Sequence, residues 1–272
     1  MKKNFGLINI ASGGFFSNFF VSLSTAIEAD KNNLIPYVEL NNTVFSQFSH
    51  EDNVNTWNWW FDQEEPSSED SIINVSKNIE SFLNFPAPFG DITWNRKDIC
   101  DSRLFFNNHF KIKEHILKMT HQYYDSFFKN KVILGVMARG TEFNNIHPQY
   151  GDQNVYTYVD EVKKVLLEHS EIDNIFLVTE DSDYIKVFDD IFDNLLYMNV
   201  FRRTTQTLEY CKRNWLWPYE NSSRENHTRI LGDECLYQAL LLGKCDYLVC
   251  KRNSMAGAAV FFNDNLKNVY YV

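Results

Sequence analysis

Four short stretches of the chain place cations, hydroxyls and carboxylates directly behind an apolar run. Arg139-Gly140-Thr141-Glu142 follows the run ending at Ala138, and Thr179-Glu180-Asp181 the run ending at Val178. Arg202-Arg203 follows Phe201, and Lys251-Arg252-Asn253-Ser254 follows Cys250. A guanidinium can hold phosphate or carboxylate oxygens through two parallel hydrogen bonds, and a neighbouring carboxylate can accept a proton or ligate a hard cation. The segment 202–229 adds Lys212, Arg213, Arg224 and Arg229 against Glu209, Glu220 and Glu225. That local surplus of positive charge suits an anionic ligand such as a diphosphate. It suits equally a solvated loop that pairs with acidic surface elsewhere.

These groups can meet only if the apolar runs before them are strands of one sheet. Phe5–Ile10 reads as a strand, Ser12-Gly13-Gly14 as a turn and Phe15–Ile27 as a helix, whose N-terminus can hold an anion or a sugar hydroxyl. Leu34–Leu40 is a second strand, and Ile112–Phe128 a helix with Ile112, Ile116, Met119, Tyr123 and Phe127 at helical spacing. Between them lies polar, aromatic-rich sequence with an acidic loop at 62–70. From Val132 the alternation is regular. Strands are expected at Val132–Val136, Asn174–Thr179, Leu195–Phe201, Tyr247–Cys250 and Val269–Val272. Helices are expected at Val155–Leu167, Tyr184–Phe192, Asp233–Leu242 and Ser254–Phe262. Fully apolar strands alternating with helices predict parallel sheets covered on both faces, in two α/β halves, 1–130 and 131–272. Ligands of such sheets bind beyond the carboxyl ends of the strands, where the four polar stretches fall.

Other residues carry two readings each. Ser254 is placed to cap the last helix, whose first amides suit phosphate. Asp181-Ser182-Asp183 resembles a DxD metal–nucleotide element, with Glu180, Asp181 and Asp183 as candidate oxygen ligands of a hard cation, or, more simply, an acidic helix start, the reading favoured for Asp183. Trp57, Trp59, Trp60, Trp215 and Trp217 can stack on sugars or fill a core. Among seven His, His147 and His227 are expected in loops on the functional side, and no nucleophile–His pair or GxxxxGK[ST] loop is present.

Composition narrows the classes. The 272 residues are 44% hydrophobic and 23% charged, ordinary for a globular protein. A formal charge of −10 repels nucleic-acid phosphates and anionic lipids. Five cysteines without a CxxC pair read as reduced thiols, with neither disulfide nor zinc. Polar residues interrupt the N-terminal apolar stretch, and no window reaches the ~18 apolar residues of a membrane span, so an intracellular protein is expected.

Three motifs then carry a resemblance. Leu134–Phe143 (LGVMARGTEF) is similar to the GVHxRGTDK element of the fucosyltransferase-like superfamily, which includes nodulation-type α1,6-fucosyltransferases and protein O-fucosyltransferases. Asn174–Asp181 (NIFLVTED) resembles that family's T-D-[DE] strand end. Gly232–Asn263 resembles its Gly-acidic helix start, LLL helix, Cys-Asp, strand and Ser-rich phosphate turn. Asn55–Gln63 resembles an Asn-aromatic-Phe-acidic segment of bacterial relatives. The match is clear over most of 110–272 and thin before it.

The resemblance implies a GT-B-like fold of two Rossmann-like domains with parallel sheets facing a cleft, residues 1–130 on the acceptor side and 131–272 binding the nucleotide sugar. It implies an inverting, metal-independent glycosyltransferase with no cofactor beyond its donor, GDP-fucose. Arg139 takes the place of the arginine that holds the donor diphosphate. Asn253, Ser254 and the amide of Met255 match the phosphate turn, and Asp233 and Glu234 lie near the acidic position of nucleotide recognition. Gly13, Gly14, Thr179, Asp181 and Arg202 complete the expected nucleotide-sugar site. Glu142, in place of the motif's Asp, is the expected second catalytic residue, as base or support. Trp57, Trp60 and His147 are expected on the acceptor. Met137 replaces the family's usual His and Phe143 its frequent Lys, so the sugar and base are implied by the family and not by these residues. The expected acceptor is an oligosaccharide or lipid-linked glycan of bacterial surface polysaccharide synthesis. The expected setting is cytoplasmic, with at most peripheral contact at the inner membrane face and no nucleic-acid partner. The competing expectations are another nucleotide sugar, a metal held by Asp181 and Asp183, and a non-catalytic nucleotide- or glycan-binding relative.

Overall fold

The computed structural model describes residues 2–9, 14–40, 54–75, 96–139, 154–204 and 224–272. The chain divides into two compact units, Met1–Lys118 with Thr228–Cys235, and Met119–His227 with Leu236–Val272. Among the described residues no helix is long and apolar enough to cross a membrane.

In the first unit, β1 (Asn4–Ile8) pairs in parallel with β2 (Ile35–Val38). α1 (Phe15–Lys31) runs past the expected Ile27 and buries Phe15, Phe16, Phe19, Phe20, Leu23, Ala26 and Ala29. A 3-10 turn at Thr56–Trp59 leads into β3 (Phe61–Gln63), and β4 (Ser71–Asn74) pairs with β1 on the side away from β2. α2 (Arg96–His109) and β5 (Phe110–Ile112), antiparallel to β3, were not foreseen. The outer edge of β2 is closed by side chains. Gln63 Oε1 accepts from the Val38 amide at 2.9 Å, and Gln63 Nε2 and Asn55 Nδ2 both donate to the Val38 carbonyl, at 2.8 and 2.7 Å. Pairing the exposed edge in this way blocks strand addition there.

The core of this unit is aromatic. Phe19 stacks on Trp57 with centroids 6.1 Å apart, and Phe61, Phe106 and Phe110 close round them. Trp60 packs edge-on against Phe15 at 4.8 Å. Its Nε1–H donates to Asp233 Oδ1 at 2.8 Å, and Asp233 lies 3.8 Å from His115 Nε2. Asp233 is on α6 (His227–Leu242), which starts well ahead of the expected Asp233. Gly232 makes the contact feasible, because a Cβ there would lie 2.1 Å from the Trp60 ring. Burial raises the Asp233 pKa, against the opposing pull of the Trp60 N–H, His115 and Arg229.

The second unit is a five-stranded parallel sheet in the order β10-β9-β6-β7-β8. Its strands are β6 (Ile133–Met137), β7 (Asn174–Val178), β8 (Leu195–Leu196), β9 (Tyr247–Cys250) and β10 (Asn268–Tyr271). Their side chains alternate between two cores. Leu134, Val136, Ile175, Leu177 and Val249 meet Tyr158, Val159 and Val162 of α4 (Val155–Glu168) and Tyr184 and Phe188 of α5 (Ser182–Asp189). Ile133, Met137, Phe176, Val178 and Leu248 meet Leu241 and Leu242 of α6 and Ala256 and Ala259 of α7 (Ser254–Phe261). Gly135 lets α6 approach, since a Cβ would lie 3.0 Å from both Leu242 and Cys245. α3 (Glu114–Phe127) forms as expected, but its buried face carries Ile116 and Thr120 while Met119 and Phe127 are exposed. None of Cys100, Cys235, Cys245 and Cys250 is in a disulfide, and burial pushes the Cys250 thiol up to about 12. Cys211 lies outside the described residues.

Gly232→Ala is expected to overpack the Trp60 contact and lower stability by about 1–3 kcal/mol in urea unfolding. Asp233 gives a pH signature. An acid whose pKa is raised by folding binds more protons folded than unfolded in the window just above the ordinary carboxylate range, so stability falls as pH rises through it. Asp233→Asn keeps an oxygen for Trp60 and removes that titration. The urea midpoint of the variant should therefore gain on wild type as pH rises through the window. A difference flat with pH would contradict the assignment.

Candidate functional site

The strand order fixes where the second unit can bind. β6 is followed by β7 on one side, whereas β9 and then β10 are added on the other. The connections thus leave in opposite directions at β6 and β9, and the notch beyond their carboxyl ends is the topological switch point. Two of the four polar stretches end there, and a third borders it.

On the β6 side, Ala138 continues the ladder by donating to the Val178 carbonyl at 2.9 Å. The Arg139 amide donates to Tyr158 Oη at 3.3 Å. Tyr158 is fully buried on α4, which raises its pKa far above that of a free phenol and keeps the hydroxyl neutral. The Arg139 side chain is about one third exposed, with Nε 3.7 Å from Glu180 Oε1. Glu180, expected only at a strand end and as a candidate cation ligand, is the carboxylate beside Arg139. It follows from register, since Met137 pairs with Val178 and the next two residues of each strand lead to Arg139 and Glu180.

On the β9 side, Asn253 and not Ser254 caps α7. Its backbone is extended, and Oδ1 accepts from the Ala256 amide at 2.9 Å. Its Nδ2 donates to the Lys251 carbonyl at 3.0 Å and meets Met137 Sδ at 3.7 Å, tying the two sides of the notch together. Ser254 is therefore the first residue inside the helix. The first-turn amides of Ser254 and Met255 lie outside the helical ladder, at the positive end of the helix dipole. Met137 is buried in the core beneath them, where the family's His was expected.

The β7 side is structural in detail. Thr179 Oγ1 accepts from the Asp181 amide at 3.1 Å, and Asp181 Oδ1 accepts from the Asp183 amide at 2.9 Å as the cap of α5. Asp183 pairs with Lys186 at 2.9 Å, which matches the helix-start reading. Arg202 donates to three carbonyls, those of Thr179 at 3.1 Å, Val200 at 3.3 Å and Met198 at 2.7 Å. Thr179, Asp181 and Arg202 thus shape the rim beside Arg139. Among the described residues no group of three or more His, Cys, Asp or Glu is arranged to hold a metal.

The remaining expected residues lie apart from this notch. Trp57 and Trp60 are 2% and 0% exposed in the aromatic core of the first unit. Stacking on a sugar needs an open ring face, so the acceptor role expected of them is replaced by a core role. Asp233 is engaged with Trp60, and Glu234 is half-buried on the same turn of α6. Gly14 precedes α1 in extended conformation, and its carbonyl accepts from Asn18 Nδ2 at 3.2 Å. His227 begins α6 instead of lying in a loop. Gly13, Glu142 and His147 lie outside the described residues, as do Trp215 and Trp217.

No family model matches the chain, and no curated protein matches its sequence. Solved structures do resemble it. Fucosyltransferase NodZ from Bradyrhizobium matches with a TM-score of 0.60 and 13% identity over 98% of this chain and 97% of its own. NodZ α-1,6-fucosyltransferase co-crystallised with GDP gives 0.60 and 12%, covering 97% and 93%. POFUT1 in complex with GDP-fucose gives 0.52 and 5%, covering 100% and 98%. At these identities the likeness speaks to the backbone: the chain has the parallel-sheet, GT-B-type α/β fold found in fucosyltransferases.

Proposed function

We propose that the protein is an inverting, metal-independent glycosyltransferase that transfers L-fucose from GDP-fucose to a glycan hydroxyl. The observation that supports this reading is the strand order, which puts the chain leaving β6 at Arg139 beside the chain leaving β9 into the start of α7. The fold is shared with NodZ co-crystallised with GDP and with POFUT1 in complex with GDP-fucose. An arginine and a helix N-terminus together are suited to a diphosphate. As the acceptor oxygen attacks the anomeric carbon from the far side, the bond to the diphosphate breaks and its electron pair leaves with GDP. Arg139 then faces more negative charge than in the ground state, so it stabilises the transition state preferentially. The acceptor proton goes to a carboxylate base, assigned to Glu142. Asp181 and Asp183 are engaged at the start of α5, which supports neutralisation by Arg139 and amides in place of a cation.

In this reading residues 131–272 bind the donor and residues 1–130 the acceptor. That acceptor is an oligosaccharide or lipid-linked glycan of bacterial surface polysaccharide, glycosylated in the cytoplasm at the inner membrane face.

Calorimetric titration with GDP, UDP, CMP and ADP, each with and without EDTA, tests the donor. GDP should bind selectively and equally well in EDTA. Preference for another nucleotide would discard GDP-fucose, and loss of binding in EDTA would return the diphosphate to a metal. Arg139→Ala should lower transfer from GDP-fucose by roughly 10²–10³-fold. Its stability should stay within about 0.5 kcal/mol of wild type, because the side chain lies at a strand end outside both cores. Transfer at the wild-type rate would remove Arg139 from the mechanism.

A further inference from the structure

One tryptophan of the 57–60 segment is not absorbed by the aromatic core. Trp57 and Trp60 are buried, whereas Trp59, at the end of the 3-10 turn, is half-buried. The Arg229 guanidinium lies 5.6 Å from the centroid of its ring, and the Trp60 ring meets it edge-on at 5.6 Å. Arg229 is exposed on α6, one turn before Asp233, so the two side chains share a face of the helix. Asp233 Oδ1 takes the Trp60 N–H, and the His115 imidazole, 43% exposed, stands 3.8 Å from the same oxygen. All of these residues belong to the first unit.

The patch keeps hydrogen-bonding capacity of both kinds. Among the described residues no hydrogen bond or ion pair engages the Trp59 indole N–H, the Arg229 guanidinium, Asp233 Oδ2 or His115 Nδ1. The Asp233 side chain is 15% exposed, so a ligand can reach it from solvent. The charges then select the ligand. An anion is repelled by Asp233 and a cation by Arg229. A pair of adjacent hydroxyls satisfies both, one donating to the carboxylate and its neighbour accepting from the guanidinium. The C–H face of a sugar ring packs on an indole, whose N–H adds a donor at its edge. Neutral sugars carry the hydroxyl pair and the C–H face together. The first unit also holds most of residues 1–130, which the resemblance gives to the acceptor.

We propose that Trp59, Arg229, Asp233 and His115 form a carbohydrate subsite that binds a neutral sugar through a pair of adjacent hydroxyls. Its service to the acceptor rests on the glycosyltransferase reading.

The test is saturation-transfer NMR on the full chain without nucleotide. The protein is titrated with the methyl glycosides of glucose, galactose, mannose and N-acetylglucosamine and, separately, with glucuronate. At least one neutral glycoside should bind, and more tightly than glucuronate. Arg229→Gln and Asp233→Asn should each weaken it roughly 10-fold or more, the scale of a lost charge-assisted hydrogen bond. The proposal is overturned if no neutral glycoside binds, if glucuronate binds better, or if the two variants bind as wild type does. Should Asp233→Asn fail to fold, Arg229→Gln decides alone, since the exposed Arg229 side chain makes no hydrogen bond among the described residues and its variant should melt as wild type. Should the protein bind none of GDP, UDP, CMP and ADP, the transferase reading fails by itself, and the same glycoside titrations still decide the subsite.

Discussion

A parallel strand whose neighbours are connected in opposite directions cannot have both connections cross above its carboxyl end. β6 is such a strand, with β7 on one side and β9 on the other. The notch that results is a consequence of chain connectivity and exists before any side chain is chosen. What the side chains decide is whether it holds water or an anion. Here the residue leaving β6 is Arg139, and the segment leaving β9 delivers a capped helix start. Both have positive potential, and both are anchored to a buried sheet.

Much of the rim's polar chemistry serves that anchoring. Asn253 satisfies a helix amide, a loop carbonyl and the Met137 sulfur at once. Arg202 donates to three carbonyls and so ties the loop after β8 to the end of β7. Thr179 and Asp181 fix the turn into α5. These groups are conformational supports, and the supports make a preorganised site feasible. A guanidinium held on a rigid rim needs little rearrangement when charge develops near it.

The first unit follows a different logic. Its short strands are stabilised by a cluster of Phe and Trp rings gathered from α1, the 3-10 turn, β3, α2 and β5. Trp60 extends this cluster to the backbone of α6 at Gly232, where only a hydrogen substituent fits. Asp233 gives the indole N–H a partner in the same place. A buried indole without an acceptor would forfeit a hydrogen bond, so the Gly-Asp pair supplies both the space and the partner that Trp60 requires.

The sequence by itself determined the alternation of strands and helices after Val132, because apolar period and turn residues are local signals read within one segment. It also determined that Arg139, Thr179-Glu180-Asp181 and Asn253-Ser254 follow strand ends, whereas the strand expected at Leu195–Phe201 is only Leu195–Leu196 and Arg202 lies six residues beyond it. Only the tertiary structure decided which of them hold the backbone. The same Arg can bind phosphate or three carbonyls, and the choice depends on partners far along the chain, as for Arg202. The Trp residues show the same limit: Trp57 and Trp60 alternate with polar residues as a stacking surface would, yet they are buried by rings from α1 and by a helix more than a hundred residues away. α2 and β5 were missed for a related reason, since their burial comes from aromatic neighbours remote in sequence and leaves no clean period to read. Local pattern fixes elements, and long-range packing assigns their side chains.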